Sequence, residues 1–160
     1  MNDTCDAAMG MLDPRISAAW DDQYRNPKAS MQQAIELLSA EPSSGHTDRT
    51  RAWAHLCIAY YRLRYESPAA AATELDAAGI LLNGSGDGRA RIVLANGRAR
   101  QMAMEGDIDG AIYLFTANLA STDAGIALLD RCQALNGLAG CHWEQGDWAQ
   151  SLAHSFEALN

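Results

Sequence analysis

The reactive side chains of this chain are not spaced as a catalytic or metal site requires. The four histidines are scattered: His46, His55, His142 and His154. Cys141 and His142 are adjacent, so on one helix they would point in different directions and could not share a metal ion. No GxSxG, HExxH or Walker-type phosphate loop occurs. The sequence therefore predicts a protein that is not an enzyme and holds no cofactor or metal.

Two further patterns have simple structural interpretations. Residues 84–88, Gly-Ser-Gly-Asp-Gly, are rich in glycine, but no Lys-Ser or Lys-Thr pair follows them. A flexible connection is expected there rather than a phosphate cradle. The paired acids Asp21-Asp22 and Asp107/Asp109 are expected on solvated faces or at helix caps.

The composition is that of one acidic globular domain. The 160 residues are 48% hydrophobic and 20% charged, with a formal net charge of −8, which disfavours nucleic acid and anionic membranes as partners. No apolar stretch approaches the roughly 18 residues of a membrane span, and the N-terminus lacks the pattern of a secretory signal. We expect a cytoplasmic protein with free thiols at Cys5, Cys57, Cys132 and Cys141. Because Phe occurs only twice while Ala and Gly are abundant, the core should consist of closely packed small residues.

An internal repeat organises the chain. Residues 31–35, 71–75, 111–115 and 151–155 align at a spacing of 40, and in each segment small or apolar residues recur four and seven places later. That recurrence is typical of an amphipathic helix. In the last segment the positions are Ser151, Ser155 and Ala158.

Helix-to-helix turns repeat in the same phase. Gly106-Asp107 and Gly146-Asp147 are 40 apart, and in each pair Gly can end one helix while Asp caps the next. Ser67-Pro68 and Asn26-Pro27 should start helices at the equivalent places. The Asn-Gly pairs at 96–97 and 136–137 lie inside the helical pattern, so we interpret them as helix contacts rather than hairpin turns. The prediction is four helix hairpins, at roughly 11–40, 48–82, 88–120 and 124–159, in a single domain over residues 11–160 after a poorly ordered segment, 1–10.

The pattern resembles the tetratricopeptide repeat. Residues 134–148 have the leucines, small residues and Gly-Asp-aromatic turn of that repeat. Residues 51–82 are similar, with Trp53, Leu56, Cys57 and Tyr60 in the expected places of the first helix, and residues 89–120 keep Ala99, Gly106-Asp107, Ala111 and Phe115. The spacing of 40 exceeds the usual 34 and resembles longer variants in bacterial regulatory proteins. The resemblance implies an all-α, right-handed superhelical solenoid of about four antiparallel hairpins, whose first helices line a groove for a peptide or partner segment.

In that register, eight side chains would face the groove. They are Arg51, Tyr61, Arg62, Asn96, Arg100, Gln133, Asn136 and Trp143. Asn96 and Asn136, at the same place in adjacent repeats, could each bind a peptide backbone, or they could hydrogen-bond neighbouring helices.

The charge is unevenly distributed along the chain. Residues 49–100 contain eight Arg against four acids, a sum of +4, and the remaining positions sum to −12. The arginines either make ordinary surface ion pairs or hold an acidic peptide or protein face.

The resemblance implies a non-catalytic interaction module, acting as the regulatory input or dimerisation domain of a longer bacterial signalling protein, such as a diguanylate cyclase or a transcriptional regulator. The alternative is a free-standing chaperone or adaptor that binds secretion substrates or other client peptides. The last helix runs to Asn160 without a capping segment. Its end face is therefore expected to continue into a longer chain or to pair with another molecule, including a second copy.

Overall fold

A computed structural model describes residues 12–40, 47–120 and 128–159. All regular elements in these ranges are helices, without a strand among them, which confirms the predicted all-α class. The eight helices are α1 (Pro14–Asp22), α2 (Pro27–Ser39), α3 (Asp48–Tyr65), α4 (Pro68–Leu82), α5 (Gly88–Glu105), α6 (Ile108–Ala120), α7 (Leu128–Glu144) and α8 (Trp148–Glu157). None of these helices combines the length and apolarity needed to cross a membrane. The predictions for residues 1–10 and for Cys5 lie outside the described residues.

The chain divides into two compact units between Ala90 and Arg91, within α5. Unit 1 contains α1 to α4 and the first turn of α5, and unit 2 contains the remainder of α5 with α6 to α8. The helices begin and end within a few residues of the predicted hairpin limits. The single right-handed solenoid over residues 11–160 stays a prediction.

An aromatic cluster forms the centre of unit 1. Trp20 of α1 is 1% exposed and makes edge-to-face contacts with Trp53 and Tyr60 of α3, each with ring centroids 5.1 Å apart. Alanines of α3 and α4, among them Ala59 and Ala71, are also fully buried in unit 1. The expected core of small residues is therefore found, but three large aromatic side chains supply much of its volume.

The two Gly-Asp turns have the same hydrogen-bonded geometry, 40 residues apart. Gly106 and Gly146 have φ of +94° and +77°, which glycine adopts without the steric cost of a Cβ. The N–H of Asp107 donates to the carbonyl of Met102, and that of Asp147 donates to the carbonyl of His142, both at 2.9 Å. Each aspartate then caps the next helix, accepting from the N–H of Gly110 or Gln150. These are Schellman ends followed by N-caps, as the sequence predicted.

The two helix starts that the sequence predicted at a proline, at Pro27 and Pro68, differ from each other. Ser67 accepts from the N–H of Ala70 at 3.1 Å and caps α4, as predicted. Asn26 stands at the N-cap of α2, but its side chain makes no capping bond. The amide donates instead to the carboxylate of Asp22, 2.6 Å away and one turn back. The prediction that Asn26 acts as Ser67 does was wrong in this respect. A cap would require the Oδ1 of Asn26 to accept from a backbone N–H, whereas the bond that its Nδ2 donates to the charged Asp22 orients the side chain toward α1.

A glycine–phenylalanine contact lies in the core of unit 2. Phe115 of α6 is 2% exposed and belongs to a buried cluster with Ala99, Ala111, Ala134, Leu138 and Cys141. A Cβ added to Gly137 of α7 would overlap the end of that ring. The interpretation of Asn136-Gly137 as a helix contact is confirmed for the glycine, whose missing side chain lets α7 approach Phe115.

We predict that Gly137→Ala lowers the free energy of unfolding by about 1–3 kcal/mol, because the new methyl group must displace a buried aromatic ring. Gly140→Ala is the matched control on the same helix. A methyl group added at Gly140 would have no heavy atom within 4 Å, and this variant should gain roughly 0.5–1 kcal/mol from helix propensity. Urea unfolding followed by circular dichroism measures both. Equal gains for the two variants would contradict the close approach.

Candidate protein-binding surface

Three of the eight predicted groove residues lie on α3 in unit 1. Arg51 is exposed, and Tyr61 is half-buried with its ring 4.9 Å from that of Tyr65. Arg62 is half-buried and joins α3 to α4, donating to the carbonyl of Ala70 at 2.9 Å and pairing with Glu74 at 3.2 Å. Because Arg62 is held by groups of its own unit, its main visible role is structural.

Glu74 connects two residues of α3. Its carboxylate lies 2.6 Å from Nδ1 of His55 and 3.2 Å from the guanidinium of Arg62. The hydrogen bond from His55, and secondarily the charges of His55 and Arg62, hold the pKa of Glu74 below its ordinary value against the opposing effect of burial. The ionised carboxylate is thus the form that stabilises the α3–α4 hairpin.

Other arginines of the 49–100 segment also have partners within unit 1. Arg49 donates to Asp87 at 2.7 Å, and Asp87 also accepts from the indole N–H of Trp53 at 2.9 Å. Burial would raise the pKa of Asp87, but these bonds and the N–H of Ala90 lower it. Arg64 lies over the ring of Tyr24, 4.4 Å from its centroid. Arg49 thus makes an ion pair and Arg64 stacks on an aromatic ring within unit 1, so neither guanidinium is positioned to bind an acidic ligand.

Asn96, in unit 2, is 2% exposed and belongs to an amide network between helices. Its Nδ2 donates to the carbonyl of Asp130 at 3.0 Å, and its Oδ1 accepts from Asn118 at 2.8 Å. Asn118 also lies 3.4 Å from the carbonyl of Ile92. The groove role proposed for Asn96 does not fit this position, because its amide is satisfied by the protein and is inaccessible to a peptide. Asn96 therefore hydrogen-bonds neighbouring helices, which is the alternative that the sequence analysis left open.

The other four predicted residues of unit 2 differ in exposure. Gln133 is half-buried, whereas Arg100, Asn136 and Trp143 are exposed. Asn96 and Asn136 occupy equivalent places in the repeat, yet one is in the core and the other at the surface. The common groove for all eight residues stays a prediction.

Trp143 is part of a larger apolar surface that the sequence analysis missed. Its ring packs edge-to-face on Trp148, with centroids 4.3 Å apart. Trp148, Leu152, Phe156 and Leu159 follow along the last helix and the turn after it, and all five side chains are between 57% and 81% exposed. At 100° per residue, the four residues from Trp148 to Leu159 lie within about 80° of the helix circumference. We call these five side chains the α8 face.

The inward side of α8 is small and polar. Ser151 is its buried residue, Ser155 donates to the carbonyl of Ser151 at 2.9 Å, and His154 stacks on His142 of α7 with centroids 5.4 Å apart. The Ser151/Ser155/Ala158 pattern did identify the side toward α7. The sequence signal for the α8 face is the spacing of Trp148, Leu152, Phe156 and Leu159, which a repeat frame that starts at Ser151 does not include.

Polar contacts fix α8 against its neighbours at both ends. Near its start, Gln145 donates to Asp109 of α6 at 2.7 Å, and Glu144 and Asp147 are exposed. Near its end, Arg131 of α7 pairs with Glu157, and the thiol of Cys132 lies 3.3 Å from the carbonyl of Ala158. The start of the α8 face is therefore acidic, and the Arg131 side chain, which is 44% exposed, lies near its other end.

The reactive side chains in the described part of the chain do not form a cluster that could hold a metal ion. No three His, Cys, Asp or Glu side chains there converge on a metal-sized site. Burial raises the pKa of the Cys57 thiol to about 12, so it is not a nucleophile at neutral pH. Cys57 also lines a small pocket with Gln23, Ser30, Tyr61 and Arg64, which has room for about one water molecule.

No protein-family model matches the chain, and searches of curated proteins and of solved structures also give no match. The tetratricopeptide resemblance therefore rests on the sequence pattern alone.

We predict that Asn96→Ala and Asn136→Ala differ in their effect on stability. Removing the Asn96 amide leaves the half-buried amide of Asn118 and the buried carbonyl of Asp130 without their hydrogen-bond partner, so the free energy of unfolding should fall by about 1–3 kcal/mol. The exposed Asn136→Ala should stay within about 0.5 kcal/mol of wild type. Thermal and urea unfolding of the two variants side by side tests this. A stable Asn96→Ala variant would show that the amide network contributes little.

We predict an acid-dependent stability term at Glu74. Since its pKa is lowered in the folded state, the stabilisation is complete above the unfolded-state value of about 4.3 and is lost as the pH falls through the folded-state pKa. Glu74→Gln should be less stable than wild type at pH 7 by on the order of 1 kcal/mol, and the difference should shrink toward pH 3. Glu66→Gln is the control, because Glu66 is 45% exposed and 3.8 Å from the same arginine. If the difference in free energy of unfolding between wild type and Glu74→Gln did not change with pH, the ionised carboxylate would not be the stabilising form.

Proposed function

We propose that this chain is a non-catalytic protein-interaction module whose docking surface is the α8 face. The observation that carries the proposal is the orientation of α8. Its large apolar side chains, Trp148, Leu152 and Phe156, lie on the solvent side, while Ser151 and His154 lie toward α7. A helix that served only the fold would place the large apolar residues inward.

The size of the surface supports a protein partner. A whole aromatic side chain buries ~150–250 Å², so three aromatics and two leucines that are more than half exposed offer on the order of 600 Å². The largest apolar patch of a typical monomer is about 300–600 Å² and is often functional. The edge-to-face pair of Trp143 and Trp148 adds a pre-organised anchor of a residue type that is enriched at binding hot spots.

The biological setting comes from the sequence resemblance. The long-period tetratricopeptide pattern resembles the regulatory input regions of bacterial signalling proteins such as diguanylate cyclases, and we propose an input or dimerisation role of that kind. The acidic-ligand groove is the less supported surface, because Arg62 pairs with Glu74 and Asn96 is buried.

A displayed peptide library selected on the immobilised full chain tests the proposal. Enriched peptides should carry an apolar face, and calorimetry should find binding abolished by Leu152→Ser combined with Phe156→Ser, because the centre of the α8 face is removed. Ile80→Ser is the matched control, since Ile80 is 76% exposed on α4 of unit 1. Peptides that bind the wild-type chain, the double variant and the Ile80→Ser variant equally would refute the α8 face as the docking surface.

A further inference from the structure

The α8 face is complementary to itself when one copy is turned end for end. Trp148 and Leu159 lie at its two ends, eleven residues or about 16 Å apart along a helix, and Leu152 and Phe156 lie between them. In an antiparallel pair, Trp148 of one copy comes opposite Leu159 of the other, and Leu152 comes opposite Phe156. Each large side chain then meets another large apolar side chain.

Small residues beside this row allow close approach. Ala149 and Ala153 are both exposed on α8, and on the helical wheel they follow Phe156 around the same side. Along the helix axis Ala153 is level with the midpoint of the row, and around the helix it lies about 60° beyond Phe156, at the edge of the contact. Helices approach closely where such small side chains lie at the contact.

The charges favour the same orientation. Glu144 and Asp147 are exposed at the start of α8, and Arg131 is 44% exposed near its end, beside Glu157. An antiparallel pair brings the arginine of one copy toward the acidic end of the other, at both ends of the interface. A parallel pair would bring the two acidic ends together, at a cost in repulsion.

We infer that the occupant of the α8 face is the α8 face of a second copy of this chain, in an antiparallel two-fold dimer. The inference rests on the proposed function, because it names the partner of that same surface. The roughly 600 Å² of apolar side chain on each copy, extended by the alanines and the charged ends, approaches the ~800 Å² that one partner contributes to a stable interface. A two-fold pair also closes on itself and leaves no further α8 face open for a third copy.

The oligomeric state of the full chain in solution tests this inference. Sedimentation equilibrium should find a dimer of about 34 kDa, twice 17.2 kDa, that dissociates on dilution. Leu152→Ser with Phe156→Ser should raise the dimer dissociation constant more than about a hundredfold with an unchanged helical circular dichroism signal, and Ile80→Ser should leave it at the wild-type value. A wild-type chain that is monomeric at all concentrations, or a dimer that persists in the double variant, overturns the inference.

Charge reversal tests the orientation separately. Arg131→Glu should weaken the dimer, and adding Glu144→Arg should restore it, because the two positions meet across the antiparallel interface. An Arg131→Glu dimer of wild-type strength, or the lack of rescue, overturns the antiparallel arrangement. If the wild-type chain is monomeric while selected peptides still bind the α8 face, the dimer inference is wrong and the proposed interaction function stands. If neither peptides nor a second copy bind there, the dimer inference and the proposed function are both wrong.

Discussion

The turn at Gly146 and Asp147 fixes both where α8 begins and how it is rotated about its axis. The left-handed glycine lets the carbonyl of His142 accept from the N–H of Asp147, and the aspartate then caps the first turn of the next helix. With the start fixed at Trp148, the rotation of every later residue follows from the helical repeat. Ser151 and His154 therefore lie inward, and the apolar row lies outward. A change of one residue in the turn length would rotate α8 by about 100°, which in one direction would turn the row toward α7 and in the other would turn Ser151 and His154 away from it.

The two units stabilise their hairpins with different polar chemistry. In unit 1, carboxylates receive charged and aromatic donors: Asp87 binds Arg49 and Trp53, and Glu74 binds His55 and Arg62. In unit 2, the neutral amides of Asn96 and Asn118 link backbone carbonyls of different helices. Some of the arginines in the middle of the sequence are thus already paired with carboxylates of the same unit. A sum of charges over a segment does not measure the charge that is free to bind a ligand.

Local patterns predicted the helices and their ends well. The two Gly-Asp turns and the cap at Ser67 depend on residues that are close together in sequence, and the structure has them. Asn96 and Asn136 could not be separated in this way, since identical places in the repeat differ only in which helix covers them. The α8 face was missed for a related reason. Periodicity detects an apolar row but does not tell whether the row is covered, and the repeat frame runs through Ser151 and Ser155 rather than through the apolar row.

The four tryptophans are divided evenly between two environments. Trp20 and Trp53 of unit 1 are 1% and 2% exposed, whereas Trp143 and Trp148 of unit 2 are 59% and 57% exposed. An aqueous quencher such as iodide can therefore reach the second pair of indoles and not the first. The intrinsic fluorescence of the unlabelled chain has a water-accessible component that reports on coverage of the α8 face and a protected component that reports on the packing of unit 1. Opening of one unit and occupation of a surface on the other are thus optically separable events in the native sequence.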